Sequence, residues 1–505
     1  MKVAVIGSGL SGLTAGALLA QAGHQVKVYE QHEKIGGVTA TIEQDGFKWD
    51  QGQMIIPDLG TGEPGRKILE KLGISDRVQV IPGWRGNVFP DFEIWRPEKY
   101  LGRHWRKYYL KNLFPEDAQG IENYYKLYED VLDLVGLYNE GTFPARARML
   151  LKMLKIIRIK NVSAKKLLDR YFTNPKLQMA YIEILADYTL RPEDFPGLAI
   201  PLINAEQEYD DRIPLDYENR PHRSSWNFIR GGLVELVNAL AGALKRYGGE
   251  ILTGTATRRI LVSDNSVAGI MLEDGHREHF DAVIASGGAK ELFQNMVGRQ
   301  HLSDAFLQKH VDNLYTTGSV FMVHLGVDYD PSVYQHNSAL CYYYLTYDLE
   351  KALQEGEQNI YHEGKYGFLI YIPSIHSPDM APKGYHDVTV YTIAPNHPAN
   401  GSWAEDRERW ADRLLEIAEG YVPGLRQHTL TRLIITPEEF RRRSYLYQHA
   451  FGGCPPALGR TPPPHKTPIN GLMFVGAQSE AYGGVTGAMI GTEKAVKKLL
   501  GRRWN

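Results

Sequence analysis

The stretch that decides the fold is Val3-Ala4-Val5-Ile6-Gly7-Ser8-Gly9-Leu10-Ser11-Gly12, followed by an apolar run to Gly23 and then Val26-Lys27-Val28-Tyr29-Glu30. It reads as a buried strand over 3–6, a turn over 7–12 and a helix over 13–21. The glycines divide the labour: Gly7 allows a tight turn, Gly9 lets a pyrophosphate approach the backbone, and Gly12 lets helix and strand pack closely. The helix N-terminus offers N–H groups and positive dipole to phosphate. A second apolar strand over 26–29 ends in Glu30, 23 residues after Gly7. A carboxylate at that spacing accepts hydrogen bonds from ribose hydroxyls and repels a 2′-phosphate, which disfavours NADP. Strand, turn, helix and acid together predict a Rossmann-type dinucleotide site rather than a ligand-free turn. The uncharged run from Val3 to Gly23 is also long enough for a membrane span, but five glycines interrupt it and no small-residue cleavage site follows, so a span or signal peptide is not expected.

At about 100 to 200 residues per domain, 505 residues predict two to four lobes. With 43% hydrophobic and 23% charged residues the composition is that of a globular protein, not a membrane bundle. Its 57 basic and 59 acidic residues nearly balance, which argues against nucleic acid as a partner. Cys341 and Cys454 are too few and too distant for a disulfide framework, and read as small buried hydrophobes in a reducing, cytoplasmic setting. His276 and His279 have a metal-compatible spacing but flank a hairpin without further ligands, so no metal is expected. Neither a Gly-x-Ser-x-Gly nucleophile turn nor a glycine-lysine phosphate loop is present.

Further glycine-marked segments follow in order. They are Gly36-Gly37-Val38-Thr39, the 46–52 stretch ending Asp50-Gln51-Gly52, Phe228-Ile229-Arg230-Gly231-Gly232-Leu233, and Tyr247-Gly248-Gly249-Glu250-Ile251. Next come Thr257, a hairpin over 268–275 turning at Glu273-Asp274-Gly275, and an apolar strand over 282–288. Near the C-terminus an apolar strand over 471–475 leads through Gly476 and Glu480-Ala481-Tyr482-Gly483-Gly484-Val485-Thr486-Gly487 into a helix over 488–500. In these segments the chain resembles the phytoene desaturase, carotenoid isomerase and retinol saturase family, within the amine-oxidase-like flavoproteins. The resemblance spans nearly the whole chain, although Val38 stands where many members carry arginine. It implies FAD as cofactor, held by Gly7, Ser8, Gly9, Leu10, Ser11, Gly12, Glu30, Gly36, Gly37, Val38, Thr39, Thr257, Gly476, Gly484, Val485 and Thr486. It implies an α/β fold with a discontinuous FAD-binding lobe at 1–95, 223–300 and 455–505, and an inserted α+β substrate lobe at 96–222 and 301–454. The implied activity is oxidation, reduction or redox-neutral isomerisation of carbon–carbon bonds in a long apolar, isoprenoid or carotenoid-like substrate. An amine-oxidase-like or protoporphyrinogen-oxidase-like enzyme is the alternative; a prenyl-protein binder resembling Rab GDP-dissociation inhibitor is one of another class.

Such chemistry asks little of side chains. Glu480 and Tyr482, beside the expected flavin, are the catalytic candidates. Glu206, Asp210 and Asp211 read as surface or gating residues, and Cys454 as a packing residue that could approach the flavin. The near-neutral total hides polarity: residues 99–113 carry +5 and 143–172 carry +8, which leaves −15 for the rest. Arg148, Lys152 and Lys155 share one helical face and Met149, Leu150, Met153, Ile156 and Ile157 the other. Helices over 99–172 are therefore expected either to dock on an anionic membrane or to pack as a solvated face on the core. Four of the 30 tyrosines, Tyr342, Tyr343, Tyr344 and Tyr347, are expected in a substrate tunnel or in the core.

Overall fold

A computed structural model describes residues 1–52, 54–99, 104–140, 142–187, 189–208, 225–444 and 453–501. Asp210 and Asp211 lie outside the described residues, as does the side chain of Glu206. The first segment forms the middle of a five-stranded parallel sheet ordered Glu250–Leu252, Gln25–Tyr29, Lys2–Ile6, Ala282–Ser286, Leu472–Val475. The alternation of side chains along these strands sets the two faces. Val3, Val5, Val26, Val28, Ile284 and Val475 pack against the helices Leu10–Gln21, Leu233–Arg246 and Val485–Leu500. Ala4, Ile6, Tyr29, Val283, Ala285 and Phe474 pack on the opposite side with Ile260, Ile270 and Phe293. Apolar demand on both faces explains why these strands read as continuous hydrophobic runs. The opposite side includes a three-stranded antiparallel sheet, Thr257–Ser263, Ser266–Leu272 and Arg277–His279, whose hairpin turns where the sequence places it.

Helix starts differ from the sequence reading by a few residues. The first helix begins at Leu10, inside the expected turn, because the Leu13 N–H already donates to the Gly9 carbonyl at 2.9 Å. The last begins at Val485, directly after Gly484, whose φ of 93° a non-glycine residue would resist.

A second, seven-stranded sheet runs Thr429–Ile435, Ser319–Val327, His386–Ala394, Gly367–Tyr371, Leu340–Tyr344, Arg85–Val88, Glu93–Ile94. The chain thus enters this sheet before residue 95. One face carries Phe321, Val323, Tyr343, Ile370 and Val390 against the helix Trp403–Glu419. The other carries Met322, Tyr342, Tyr344, Tyr371, Tyr391 and Ile435 in one cluster with Trp226, Phe228 and helical residues from Trp105 to Ala205. Tyr342 and Tyr344 therefore face one way and Tyr343 the other, as the two-residue period of a strand requires. Tyr347 stacks beside Phe89 and Phe92 and donates a hydrogen bond to Asp91.

The helix Phe143–Ile156 starts with a cap, Thr142 Oγ accepting from Ala145 N–H at 3.3 Å, followed by Pro144 in the first turn. Its orientation departs from the expected one at Lys152 and at the leucines, while Arg148 is exposed and the side chain of Lys155 lies outside the described residues. Lys152 turns inward, donating to Asp130 at 3.0 Å and Asp133 at 2.7 Å on the preceding helix, Ala118–Glu140. Phe143, Leu150, Leu151 and Leu154 are instead 84%, 62%, 67% and 61% exposed. The acidic pair on the neighbouring helix captures the lysine and leaves leucines outside. Among the described residues no helix is long and apolar enough to cross a membrane.

Candidate active site

In the five-stranded sheet the chain passes from the first strand to one neighbour, Gln25–Tyr29, and only later to the other, Ala282–Ser286. A crevice is expected beyond the carboxyl ends at such a reversal, where Gly7, Glu30 and Gly476 directly follow their strands. Gly7 N–H donates to Tyr29 O at 2.8 Å. A Cβ on Gly7 would stand 2.5 Å from Ser286 Oγ, and one on Gly12 only 1.9 Å from the Gly7 carbonyl oxygen. Both glycines are demanded by packing. A Cβ on Gly9 would meet nothing within 4 Å. Gly9 bridges Gly36, and Gly37, with φ of 58°, comes close enough that its Cβ would lie 3.4 Å from the Gly9 Cα. Two glycine turns thus lie together and leave an open trough along Gly9.

Glu30 is 5% exposed and bound at both carboxylate oxygens. Ser8 donates from N–H at 2.8 Å and from its hydroxyl at 2.6 Å, and His32 N–H donates at 3.0 Å. About four lone-pair positions belong to a carboxylate, so three donors leave room for one more, such as a ribose hydroxyl. Thr257 begins the strand after the Glu30-linked turn, in which Thr255 N–H donates to Glu30 O at 2.7 Å; its own buried hydroxyl makes no hydrogen bond.

Val38 and Thr39 follow in a short helical turn, with Thr39 Oγ donating to Gly36 O at 2.7 Å. A Cβ on Gly52 would fall 2.4 Å from Val38 O, which explains the glycine after Gln51. Gln51 Oε1 is buried without a hydrogen bond. Asp50, the residue before Gln51, accepts from Leu233 N–H at 2.9 Å and so caps the helix Leu233–Arg246. Burial pushes its carboxyl up to about 6, against the bonds from Leu233 and Thr41.

At the far end Gly476 has φ of 111°, and its Cβ would be 3.7 Å from Gly287 N and 3.9 Å from Ser11 Oγ. The C-terminal turn therefore lies over the start of the first helix. Ser479 ties the turn by donating N–H and hydroxyl to Gly476 O. Val485 and Thr486 are buried in the first turn of the last helix, where Thr486 lies against Gly65. Leu10 and Ser11 are buried at the start of the first helix.

The catalytic candidates fare differently. Burial raises the Glu480 carboxyl, but a bond from Lys498 at 2.6 Å and one from His465 N–H at 3.2 Å outweigh it and keep the group below its usual range. Its carboxylate ties the turn to the last helix. Tyr482 sits at φ 60°, uncommon for a residue with a side chain, and the residue is 37% exposed. Cys454 is buried with its thiol pushed up to about 12 by burial, and its N–H donates to Ala477 O.

This arrangement is that of a dinucleotide-binding fold, and the residues fit FAD: an open glycine trough, a buried acid with spare hydrogen-bonding capacity, and two buried polar atoms, Thr257 Oγ1 and Gln51 Oε1, without protein partners. Residues 10–499 match the family model for flavin containing amine oxidoreductase, and the chain belongs to that family. It is an FAD-dependent oxidoreductase. The chain is 24% identical to 4,4'-diaponeurosporene oxygenase of Staphylococcus aureus, over 99% of this chain and 98% of that one. Among solved structures it is similar to an oxidoreductase from Methanosarcina mazei, with TM-score 0.64 and 20% identity over 98% of this chain and 100% of that one. A putrescine oxidase bound to putrescine has TM-score 0.60 and 16% identity, over 99% of this chain and 98% of that one, and shares the fold.

Proposed function

We propose that the protein acts on carbon–carbon bonds of a long, apolar, carotenoid-like isoprenoid, in the manner of a phytoene desaturase. The supporting observation is the aromatic character of the buried cluster on one face of the seven-stranded sheet. Trp226, Phe228, Tyr342, Tyr371, Tyr391 and Ile435 pack together there, side chains chemically suited to contact a conjugated chain. FAD, when bound, supplies the hydride acceptor or donor. The protein orients the polyene, excludes water, and holds the glycine turns that position the cofactor. Tyr482, partly exposed at the C-terminal turn, would contact substrate, while Glu480 braces the turn. Docking on an anionic membrane through Phe143, Leu150, Leu151 and Leu154 would admit an insoluble substrate without a passage through water. The similarity to the staphylococcal enzyme supports the carotenoid-like class.

Anaerobic mixing of oxidised and reduced holoenzyme with a panel of polyenes tests the reading. A change in flavin absorbance together with a shifted polyene spectrum is expected. Hydrogen peroxide released with amines, and no response to any polyene, would replace this reading by the amine oxidase one.

A further inference from the structure

Inside the aromatic cluster lies a set of charges that an apolar substrate alone does not explain. Arg85 and Glu183 form an ion pair at 2.9 Å with side chains 1% and 0% exposed. The Arg85 guanidinium stands 4.9 Å from the Trp226 ring centre and 4.6 Å from that of Tyr342, and Tyr342 stacks on Tyr344 at 6.1 Å. The nearby Asp187 carboxyl is pushed up to about 6 by burial, although Arg85 and a hydrogen bond with Tyr342 oppose the shift. Two residues on, Thr189 has φ of 48°, an outlier for a β-branched residue. Its backbone oxygen accepts from the Tyr315 hydroxyl, and its Oγ accepts from Gly318 N–H. The strained turn holds the Asp187 segment against the cluster.

Two donors here make no hydrogen bond: the indole N–H of Trp226, in a residue 8% exposed, and the hydroxyl of Tyr344, in a residue 7% exposed. Buried donors of this kind ordinarily meet an acceptor. Trp226 pairs with Pro57 in the small sheet next to the last helix, Val485–Leu500, so the cluster adjoins the helix that starts at the C-terminal glycine turn.

We propose that Trp226 and Tyr344, in the field of Arg85, form an anchor for an acceptor oxygen on one end of the substrate, a carbonyl or carboxylate. The substrate is then an oxygenated polyene rather than a pure hydrocarbon. The anchor rests on the polyene reading above and specifies which polyenes the cleft takes.

The holoenzyme is titrated with a polyene aldehyde and with the hydrocarbon of equal conjugation length, both in the same detergent, with flavin fluorescence as the readout. The wild type should bind the aldehyde about tenfold more tightly. Tyr344→Phe, which keeps ring and volume, should cut that preference about threefold with hydrocarbon affinity within about twofold, and Trp226→Phe should also cut the preference about threefold. Melting temperature checks that both variants fold. No preference in the wild type, or an undiminished preference in a folded Tyr344→Phe, would overturn the anchor while leaving the polyene reading intact. Failure of both polyenes to bind, with amines oxidised, would overturn both.

Discussion

Gly9 and Gly12 look equivalent in sequence, three residues apart in one glycine-rich turn, yet the structure gives their alanine variants opposite consequences. At Gly12 the added carbon would stand 1.9 Å from the Gly7 carbonyl oxygen, which is backbone that cannot rotate away. Strand and helix must separate by more than an ångström, and overpacking of this kind costs about 1–3 kcal/mol. At Gly9 the same carbon meets nothing within 4 Å, and φ of −65° with ψ of 173° suits alanine. The apoprotein should therefore be unaffected, or stabilised by about 0.4–1 kcal/mol through the less flexible unfolded chain. The methyl would instead occupy the trough, and FAD affinity should fall about tenfold or more, at least about 1.4 kcal/mol. Thermal melting of apoprotein measures the first effect and flavin fluorescence titration the second. Gly12→Ala should melt several degrees lower; Gly9→Ala should melt as the wild type does and bind FAD weakly. A Gly9→Ala protein with wild-type FAD affinity would refute the placement of the pyrophosphate along Gly9.

Two other perturbations test different parts of the molecule. The Asp387 carboxyl is pushed up to about 7 by burial, against hydrogen bonds from Ser374. Its folded-state value exceeds the unfolded one, so the stability from its neutral form is present below about pH 4 and is lost as pH rises toward 7, at no more than about 1.4 kcal/mol per pH unit. Asp387→Asn should flatten urea-denaturation midpoints between pH 4.5 and 7.5; an unchanged slope would assign the dependence to other groups. For the exposed helix, Leu150→Asp with Leu154→Asp should lower co-sedimentation with phosphatidylserine vesicles about tenfold while melting temperature holds. Wild-type sedimentation would remove this helix from any membrane contact.

Features carried by local backbone pattern were legible in the sequence. Strand, glycine turn, helix and Glu30 occupy about thirty consecutive residues, and each glycine's task follows from its spacing alone. Features made by distant segments were not. Arg85 lies at a strand start, Glu183 and Asp187 lie in a helical region about a hundred residues later, and nothing local marks them as a buried group. The orientation of Lys152 depended on Asp130 and Asp133, which a periodicity reading of its own helix does not include. Asp50 shows a middle case: its stretch drew attention, but its bond to Leu233 N–H required knowing that residues 183 positions apart meet.

The exposed leucines lie on the helix Phe143–Ile156 and the buried charges on the strand Arg85–Val88 and the short helix Glu183–Ala186, and together they bear on how a substrate would be selected. An oxygenated polyene in a bilayer keeps its oxygen near the headgroups and its chain among the acyl tails. Entry into an apolar cleft would strip water from that oxygen, at about 1–3 kcal/mol if no donor replaces it. Trp226 and Tyr344 would restore the lost bonds, so the oxygenated molecule enters at little cost. A hydrocarbon has no such loss, but it leaves both buried donors without a partner, and sites built around hydrogen-bond donors discriminate strongly against analogues that lack the matching group. Selectivity would then come less from the aromatic side chains, which accept either chain, than from two polar atoms, Trp226 Nε1 and the Tyr344 hydroxyl, that lack partners.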